Sequence, residues 1–476
     1  MISITGKDFL AILPAIIVTL FGIYLMVHGV FLKEKKHRTI LYLALGGLVL
    51  AIVSNFFLIG ESFTAFNGMV KVDRISVFFN FLFLATSALT LLISLSYSEQ
   101  QHIEFVEYSP LILFATVGMM LMGSAESLMT VFLGLETMSI ALYVLAGFRR
   151  THRESLEAAL KYFLLGAFAT GFLLYGIALT YGSVGSTNLS EITNYFTANS
   201  LNLNLLSLLG LGLMLIGFGF KVALVPFHMW TPDVYQGSPM PVTAFMAVGA
   251  KAAGFTAIIR VISLSASQIS FELTEVLWVL AVLTMTIGNI IALVQNDIKR
   301  MLAYSSIAHA GYILVGVVAA NDLSIPGILF YLAAYLFMNL GAFAIASSVS
   351  GKNERRVKIE YFRGLGFSQP MMGFAMALCM FSLAGFPPTA GFMGKFYLFS
   401  AALQSGFVWL VIIGVLNSLL SVYYYIRVIV AMYMEKPLDD TLVTQVVPGV
   451  GLVILISIIG ILYLGIFPGN LMAIMN

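Results

Sequence analysis

Four lysines stand inside apolar runs of this chain: Lys161 in SLEAALKYFLLGAF, Lys221 at the end of a glycine-rich run, Lys251 in AVGAKAAG, and Lys395 in AGFMGKFY. An ammonium at the centre of a membrane helix costs roughly 2.5–3.5 kcal/mol on insertion scales, so each must face inward and be offset by a partner or by water. Glu136, in LMTVFLGLETMSIALYVL, is the clearest carboxylate in mid-run. A Glu–Lys pair about 4 Å apart is attracted by about 4 kcal/mol at an effective dielectric of about 20. Separating such a pair would let the lysine hand on its proton, so the pair is a proton switch. For Lys221, Lys251 and Lys395 the plain structural alternative is a static ion pair. Lys161 follows Glu157 by about one turn and reads equally as a residue whose long stem carries the ammonium to the interface.

Other polar residues are weaker candidates. His228 lies just after a proline in VALVPFHMWTPDVYQGSPMPV, and His309 sits among the hydroxyls of Tyr304, Ser305 and Ser306 in RMLAYSSIAHAGYILVG. Imidazole titrates near neutrality and suits a relay, although a lone histidine is more often a hydrogen-bonded core residue. Glu107 precedes Tyr108 and Pro110 and reads either as a relay group or as a helix-start carboxylate favoured by the helix dipole. His28, His37, His102 and His152 fall near the ends of apolar runs and carry no specific expectation.

The chain that must position these groups has 476 residues, 60% hydrophobic and 10% charged. Soluble domains run at roughly 45–50% apolar and 25% charged, so this is an integral membrane protein with little chain left for a soluble domain. With about 20 apolar residues per crossing, its length allows about 13 to 16 helices. Apolar runs and their punctuation place spans at 8–31, 39–60, 74–97, 108–125, 127–147, 155–182, 204–227, 239–263, 272–295, 299–320, 324–348, 370–403, 407–432 and 446–466, fourteen in all. The first is read as a retained span, because its apolar run is too long for a signal peptide and ends without a cleavage pattern. The short alternating segments of a β-barrel are not seen. The fold class is therefore an all-α integral membrane protein.

Basic residues in the connections set the orientation. With the amino terminus outside, Lys33, Lys35, Lys36, Arg38, Arg149, Arg150, Arg153, Lys299, Arg300, Lys352, Arg355, Arg356, Lys358, Arg363, Arg427 and Lys436 lie inside, against only Lys7, Lys71, Arg74 and Arg260 outside. Sixteen against four puts both termini outside, and one missed or invented helix would scatter the bias. A net charge of +2 gives no field that would attract nucleic acid. The single cysteine, Cys379, excludes an internal disulfide and a thiolate iron–sulfur cage.

Two spans are interrupted in mid-run by proline and glycine, the seventh at VALVPFHMWTPDVYQGSPMPV and the twelfth at SLAGFPPTAGFMGKF. Proline removes a backbone donor and clashes with the preceding turn, and open backbone at membrane depth is tolerated only against protein or water. The twelfth span comes five places after the seventh, an odd number, so the two run in opposite directions. Paired broken helices of this kind point to an inverted repeat around a transport path, here helices 4–8 and 9–13. The expected parts are an N-terminal three helices at 1–107, a first five-helix repeat at 108–263, a second inverted repeat at 272–432, and a C-terminal helix at 433–476.

Several apparent motifs carry no chemistry. GLGLMLIG lies inside an apolar span with no strand before it, so its glycines serve helix packing rather than dinucleotide binding. No P-loop, Ser-His-Asp set or metal-ligand cluster is present in the sequence. The basic loop 350–368 suits an inside location and is a candidate contact for a partner or anionic lipid.

The segment PFHMWTPDVYQGSPMPVTAF with Lys251, together with SLEAALKYFLLGAF, NDIKRMLAYSSIAHAGYILVG, YFRGLGF and SLAGFPPTAGFMGKFY, resembles the N-type membrane subunits of respiratory complex I, the proton-pumping NADH:quinone oxidoreductase. The matching segments keep their order from about residue 70 to about residue 432. The resemblance implies a fourteen-helix antiporter-like subunit of the membrane arm with broken helices 7 and 12. Partners would be other complex I membrane subunits, especially the M-type antiporter-like subunit, the L-type subunit and small membrane subunits, together with lipid. NAD, FMN, iron–sulfur clusters and quinone would belong to other subunits, with no cofactor in this chain. Glu136 and Lys221 match the family's helix-five and helix-seven pair, Lys251 its central helix-eight lysine, and Lys395 its helix-twelve lysine; Lys161, His228, Tyr304 and Glu107 also fall on family polar positions.

L- and M-type chains and the related sodium/proton antiporter subunits tend to carry a histidine in helix eleven, where this chain has Tyr331, Tyr335 and Asn339. The AVGAKAAG of helix eight likewise lacks a histidine, and the long lateral helix of type L is absent from the sequence. The expected activity is translocation of protons along Glu136, Lys221, Lys251 and His309 to Lys395, driven by redox chemistry elsewhere in the complex. The alternatives are a subunit of a multisubunit sodium/proton antiporter or membrane-bound hydrogenase, and a purely structural scaffold. The setting implied is a bacterial plasma membrane, with an organelle membrane as the other possibility.

Overall fold

A backbone surrounded by lipid has to satisfy its own hydrogen bonds, and helices of lipid-spanning length follow from that requirement. The computed structural model describes residues 5–31, 37–101, 103–199, 204–263, 271–438 and 447–475. The chain opens with α1 (Gly6–Ala11), α2 (Leu13–Phe31) and α3 (His37–Phe56), then a hairpin of β1 (Phe63–Ala65) and β2 (Val70–Val72). Helices α4 (Arg74–Gln100), α5 (Tyr108–Gly123), α6 (Leu128–Ala146), α7 (Arg153–Val184) and a short α8 (Leu189–Ala198) come next. They lead to α9 (Leu205–Val222) and α10 (Trp230–Gly237). A single buried stretch then joins α11 (Met240–Phe245), a π turn (Met246–Ala250), α12 (Lys251–Ile258) and a second π turn (Ile259–Ser263). The remainder is α13 (Phe271–Leu293), α14 (Ile298–Ala319), α15 (Ser324–Ser350), α16 (Leu365–Ser368), α17 (Pro370–Ala384), α18 (Ala390–Gln404), α19 (Val408–Met434), α20 (Pro448–Ile466) and α21 (Pro468–Met475).

Twelve of the described helices are long and apolar enough to cross a membrane, and the shorter apolar α5 and α17 fill two more of the expected segments. Expected boundaries shift by a few residues. The third expected span continues to Gln100, because Ser98 and Glu99 end the apolar run but still bond as helix. Lys33, Lys35, Lys36 and His102, all named in the sequence reading, lie outside the described residues.

Two features were not anticipated. The antiparallel hairpin pairs Phe63 with Val72 and Ala65 with Val70, around a turn in which Phe66, Asn67 and Gly68 all have positive φ. Strands of three residues are too short to leave an alternation signal, and its Lys71 looked like ordinary loop charge. Helix α8 is amphipathic, burying Leu189, Ile192 and Phe196 and starting at Asn188, whose side chain accepts from the Glu191 backbone.

The described residues fall into two compact units, one built from Met1–Leu91, Glu104–Ala223 and Gly249–Thr274, the other from Leu92–Ile103, Leu224–Val248 and Glu275–Asn476. The chain passes between them several times, once inside the first π turn, between Val248 and Gly249.

In the first unit, small residues bring backbones together. A Cβ on Gly118 of α5 would lie 2.4 Å from the Met138 nitrogen of α6, and one on Gly176 of α7 would lie 2.7 Å from the Gly210 carbonyl of α9. Arg260, near the end of the buried stretch, is 1% exposed and grips Asp73 before α4 at 2.9 and 3.1 Å, while its Nε donates to the Gly123 carbonyl at 2.8 Å. In the second unit α15 is the central helix, buried along most of its length and packed by α14, α18 and α20.

Candidate functional site

The first broken helix ends where Ala223 takes a left-handed conformation after Val222, and the chain then turns through Pro226 and His228 into α10. Lys221 therefore occupies the last turn of α9, where free carbonyl ends favour a cation. Its Nζ donates to Ser139 Oγ of α6 at 2.8 Å and to Tyr162 OH of α7 at 3.1 Å. The rings of Tyr143 and Tyr162 lie 5.9 and 5.1 Å from the ammonium, in the range of cation–π attraction.

Glu136 is half-buried one turn before Ser139 on α6 and accepts from Thr170 Oγ1 of α7 at 2.8 Å. The hydrogen bonds of the Lys221 ammonium go to hydroxyls and not to this carboxylate. A cavity of about 10 Å³ is lined by Ser139, Tyr143, Thr170 and Lys221, about the space one water needs. The arrangement is a buried cation and a half-buried carboxylate, each hydrogen-bonded to hydroxyls of its own.

Lys251 is 2% exposed and begins α12 directly after the π turn Met246–Ala250. π turns widen a helix and recur at functional positions. One turn further, a Cβ on Gly254 would come 3.6 Å from Lys221 Cβ and Cγ, so this helix packs against the Lys221 stem.

The second broken helix works through its carbonyls. α17 stops at Gly385 with φ of 92°, and Lys395 of α18 donates to the released Leu383 and Ala384 carbonyls at 3.2 and 2.9 Å and to Ser418 Oγ of α19 at 2.9 Å. The Tyr312 ring lies 4.8 Å from the same ammonium. Open carbonyls at a helix C-terminus carry partial negative charge, so the break itself provides the counter-charge.

That bend permits one testable expectation. A Cβ on Gly391 would sit 1.8 Å from the Ser382 carbonyl oxygen, a backbone clash that only an opening of the bend relieves. Gly391→Ala is expected to cost about 3 kcal/mol and to lower the amount of this chain recovered from membranes, whereas Gly212→Ala, with nothing within 4 Å of its Cβ, leaves recovery unchanged.

His309 is buried in the second unit, with Nδ1 2.5 Å from Tyr331 OH and Nε2 3.0 Å from Tyr425 OH, and Tyr425 OH is 2.5 Å from Ser305 Oγ. Beside this run, Asn289 bonds Tyr312, Tyr424 and Asn417. His228 is buried in the first break, and its Nδ1 has no acceptor or donor among the described residues.

The remaining candidates are not drawn into these clusters. Lys161 pairs with Glu157 at 2.7 Å on an exposed helix face. Glu107 is a half-buried residue at the start of α5 and makes no side-chain cap, and Tyr304 is half-buried. Groups missed in the sequence include Ser139, Tyr162, Thr170, Ser418 and Tyr425, ordinary polar residues whose role only proximity reveals. Also missed is Glu354, buried with Lys299 at 2.9 Å.

Residues 125–421 match a family model described as NADH:quinone oxidoreductase/Mrp antiporter, TM. The NADH-quinone oxidoreductase subunit N of Trichlorobacter lovleyi is 49% identical over 97% of this chain and 95% of its own length. The chain belongs to the NADH:quinone oxidoreductase/Mrp antiporter membrane family. A chain of respiratory complex I from Thermus thermophilus superposes on this family member with a TM-score of 0.84 at 36% identity, covering 97% of this chain and 98% of that one. A chain of the Mrp complex from Dietzia sp. DQ12-45-1b shares the family fold, with a TM-score of 0.84 at 19% identity over 99% of this chain and 96% of that one. The family match spans both broken helices and the residues Glu136, Lys221, Lys251, His309 and Lys395.

Proposed function

We propose that this chain is the N-type, proton-translocating membrane-arm subunit of an NADH:quinone oxidoreductase. The observation that carries the reading is that Lys221 and Lys395 are each buried beside a helix break, against hydroxyls and, for Lys395, released carbonyls. Such cradles hold an ammonium without an adjacent carboxylate to lock it, so the charge of a neighbouring group decides whether the proton stays. Moving one charge against 100 mV takes about 2.3 kcal/mol, and a carboxylate brought to about 4 Å from the ammonium would supply about 4 kcal/mol at an effective dielectric of about 20.

In this reading protons enter from the inside, pass Glu136, Lys221 and Lys251, and leave by way of His309 and Lys395. Lys161, His228, Tyr304 and Glu107 are subsidiary positions along the route. The repeats span 108–263 and 272–432, flanked by 1–107 and 433–476, in a fourteen-helix chain with both termini outside a bacterial plasma membrane. NAD, FMN, iron–sulfur clusters and quinone belong to other subunits, and the M-type and small membrane subunits and lipid are the neighbours.

Lys395→Gln in the intact complex tests the reading. NADH-driven proton uptake by inverted membrane vesicles is expected to fall by the share this chain carries, with NADH oxidation and assembly retained. Unchanged uptake would mean that the lysine is only a structural cation. Co-purification of a tagged chain with NADH-oxidising activity separates this function from that of a sodium/proton antiporter subunit.

A further inference from the structure

In the second unit, a cavity of about 360 Å³ opens among Asn296, Lys358, Glu360, Arg363, Arg427 and Glu435. Lys358 lies 3.6 Å from Glu360 and Arg363 lies 2.5 Å from Glu435, so both carboxylates are matched and Arg427 is the cation left over. Arg427 reaches back to the end of α13, donating from Nη1 to the Leu293 carbonyl at 3.3 Å and from Nη2 to the Gln295 carbonyl. Its Nε–H has no acceptor among the described residues. A guanidinium offers five N–H donors in a fork that matches phosphate, and the carbonyls occupy only two.

The surface leading to this cavity is apolar. Leu416, Leu419, Leu420 and Tyr423 are exposed on α19 at spacings of three and four residues, a stripe that continues to Arg427. Ile290 and Val294 are likewise exposed at the end of α13, whose Leu293 carbonyl Arg427 holds. A charged cavity at the head of an apolar stripe has the layout of a phospholipid, polar end above acyl chain.

We propose that the cavity holds the head group of a phospholipid with a single negative charge. Its phosphodiester lies on Arg427 and Lys358, and its hydroxyls donate to Glu360 and Glu435. The charge count selects this class: three cations and two carboxylates leave one positive charge, which one phosphodiester cancels, while a second phosphate would face the carboxylates.

The test uses detergent-solubilised particles purified through a tag on this chain, in nanodiscs of phosphatidylcholine doped with phosphatidylglycerol. Retention of phosphatidylglycerol is read by native mass spectrometry. Lys358→Gln is expected to weaken retention about fivefold and Arg427→Gln about tenfold or more. Arg427 also holds the end of α13, so its variant alone does not separate lipid loss from loss of fold; the exposed Lys358 keeps the experiment decisive. Equal retention by the native chain and Lys358→Gln, displacement of the lipid by millimolar inorganic phosphate, or a neighbouring subunit's side chain seated in the cavity of the assembled particle would each overturn the proposal.

Discussion

Lys221→Met in the assembled complex is expected to stop proton movement through this chain, and Lys221→Arg to fail equally. The methionine keeps most of the length of the side chain and removes the charge, leaving Ser139 and Tyr162 without their shared donor. Arginine keeps the charge but does not give up its proton at any physiological pH. If the lysine were a static cation, arginine would restore function by occupying the same hydroxyls. If it carries protons, arginine is as inactive as methionine. The measurement is proton uptake driven by NADH in inverted vesicles, with NADH oxidation and the amount of assembled complex recorded beside it. Recovery of uptake by arginine would remove the relay role from Lys221.

Glu354→Ala should produce a large loss of stability. Glu354 is 8% exposed, and its Oε1 accepts from Tyr97 OH at 2.5 Å and from the Met240 backbone at 2.8 Å, while Oε2 accepts from Lys299 Nζ at 2.9 Å. Lys299 also donates to the Ser238 carbonyl at 2.6 Å. One carboxylate thus ties the end of α4, the start of α11 and the first turn of α14 to the segment after α15. Two successive residues, Asn353 and Glu354, adopt positive φ to deliver it, a conformation that side chains other than glycine rarely take.

Removing one member of a buried pair costs about 3–5 kcal/mol, because the other charge is left in place. Glu354→Ala is therefore expected to lower the midpoint of thermal unfolding of the purified particle strongly. The double variant Lys299→Met/Glu354→Met should be less damaging than Glu354→Ala, since no buried charge remains, although Met240 N–H and Tyr97 OH still lose their acceptor at about 1–3 kcal/mol each. A double variant as unstable as the single one would show that the backbone bonds, and not the ion pair, hold this junction.

Legibility differed by residue. Lys221, Lys251 and Lys395 stood out because a charge in an apolar run has few structural excuses, and all three are buried. Lys161 looked equivalent in sequence but pairs with Glu157 on an exposed face, since the next carboxylate lies on its own helix one turn away. Glu354 was hidden among the charges of the basic loop, where neighbours in sequence suggest solvent. Its burial depends on Tyr97 and Met240, which are far away along the chain. The hairpin and α8 were missed because their signals are shorter than the apolar runs around them.

Composition and spacing by themselves determined that this is a helical membrane protein, where its apolar segments lie, and that two of them break near a lysine. Those conclusions rest on transfer energies and backbone bonding, which act locally and can be read from a single stretch of chain. Only the tertiary structure decided what each ammonium meets: Ser139 and Tyr162 for Lys221, and carbonyls with Ser418 for Lys395. A buried charge is settled by whichever polar groups the packing of other helices brings within about 3 Å, and sequence separation carries no record of that distance.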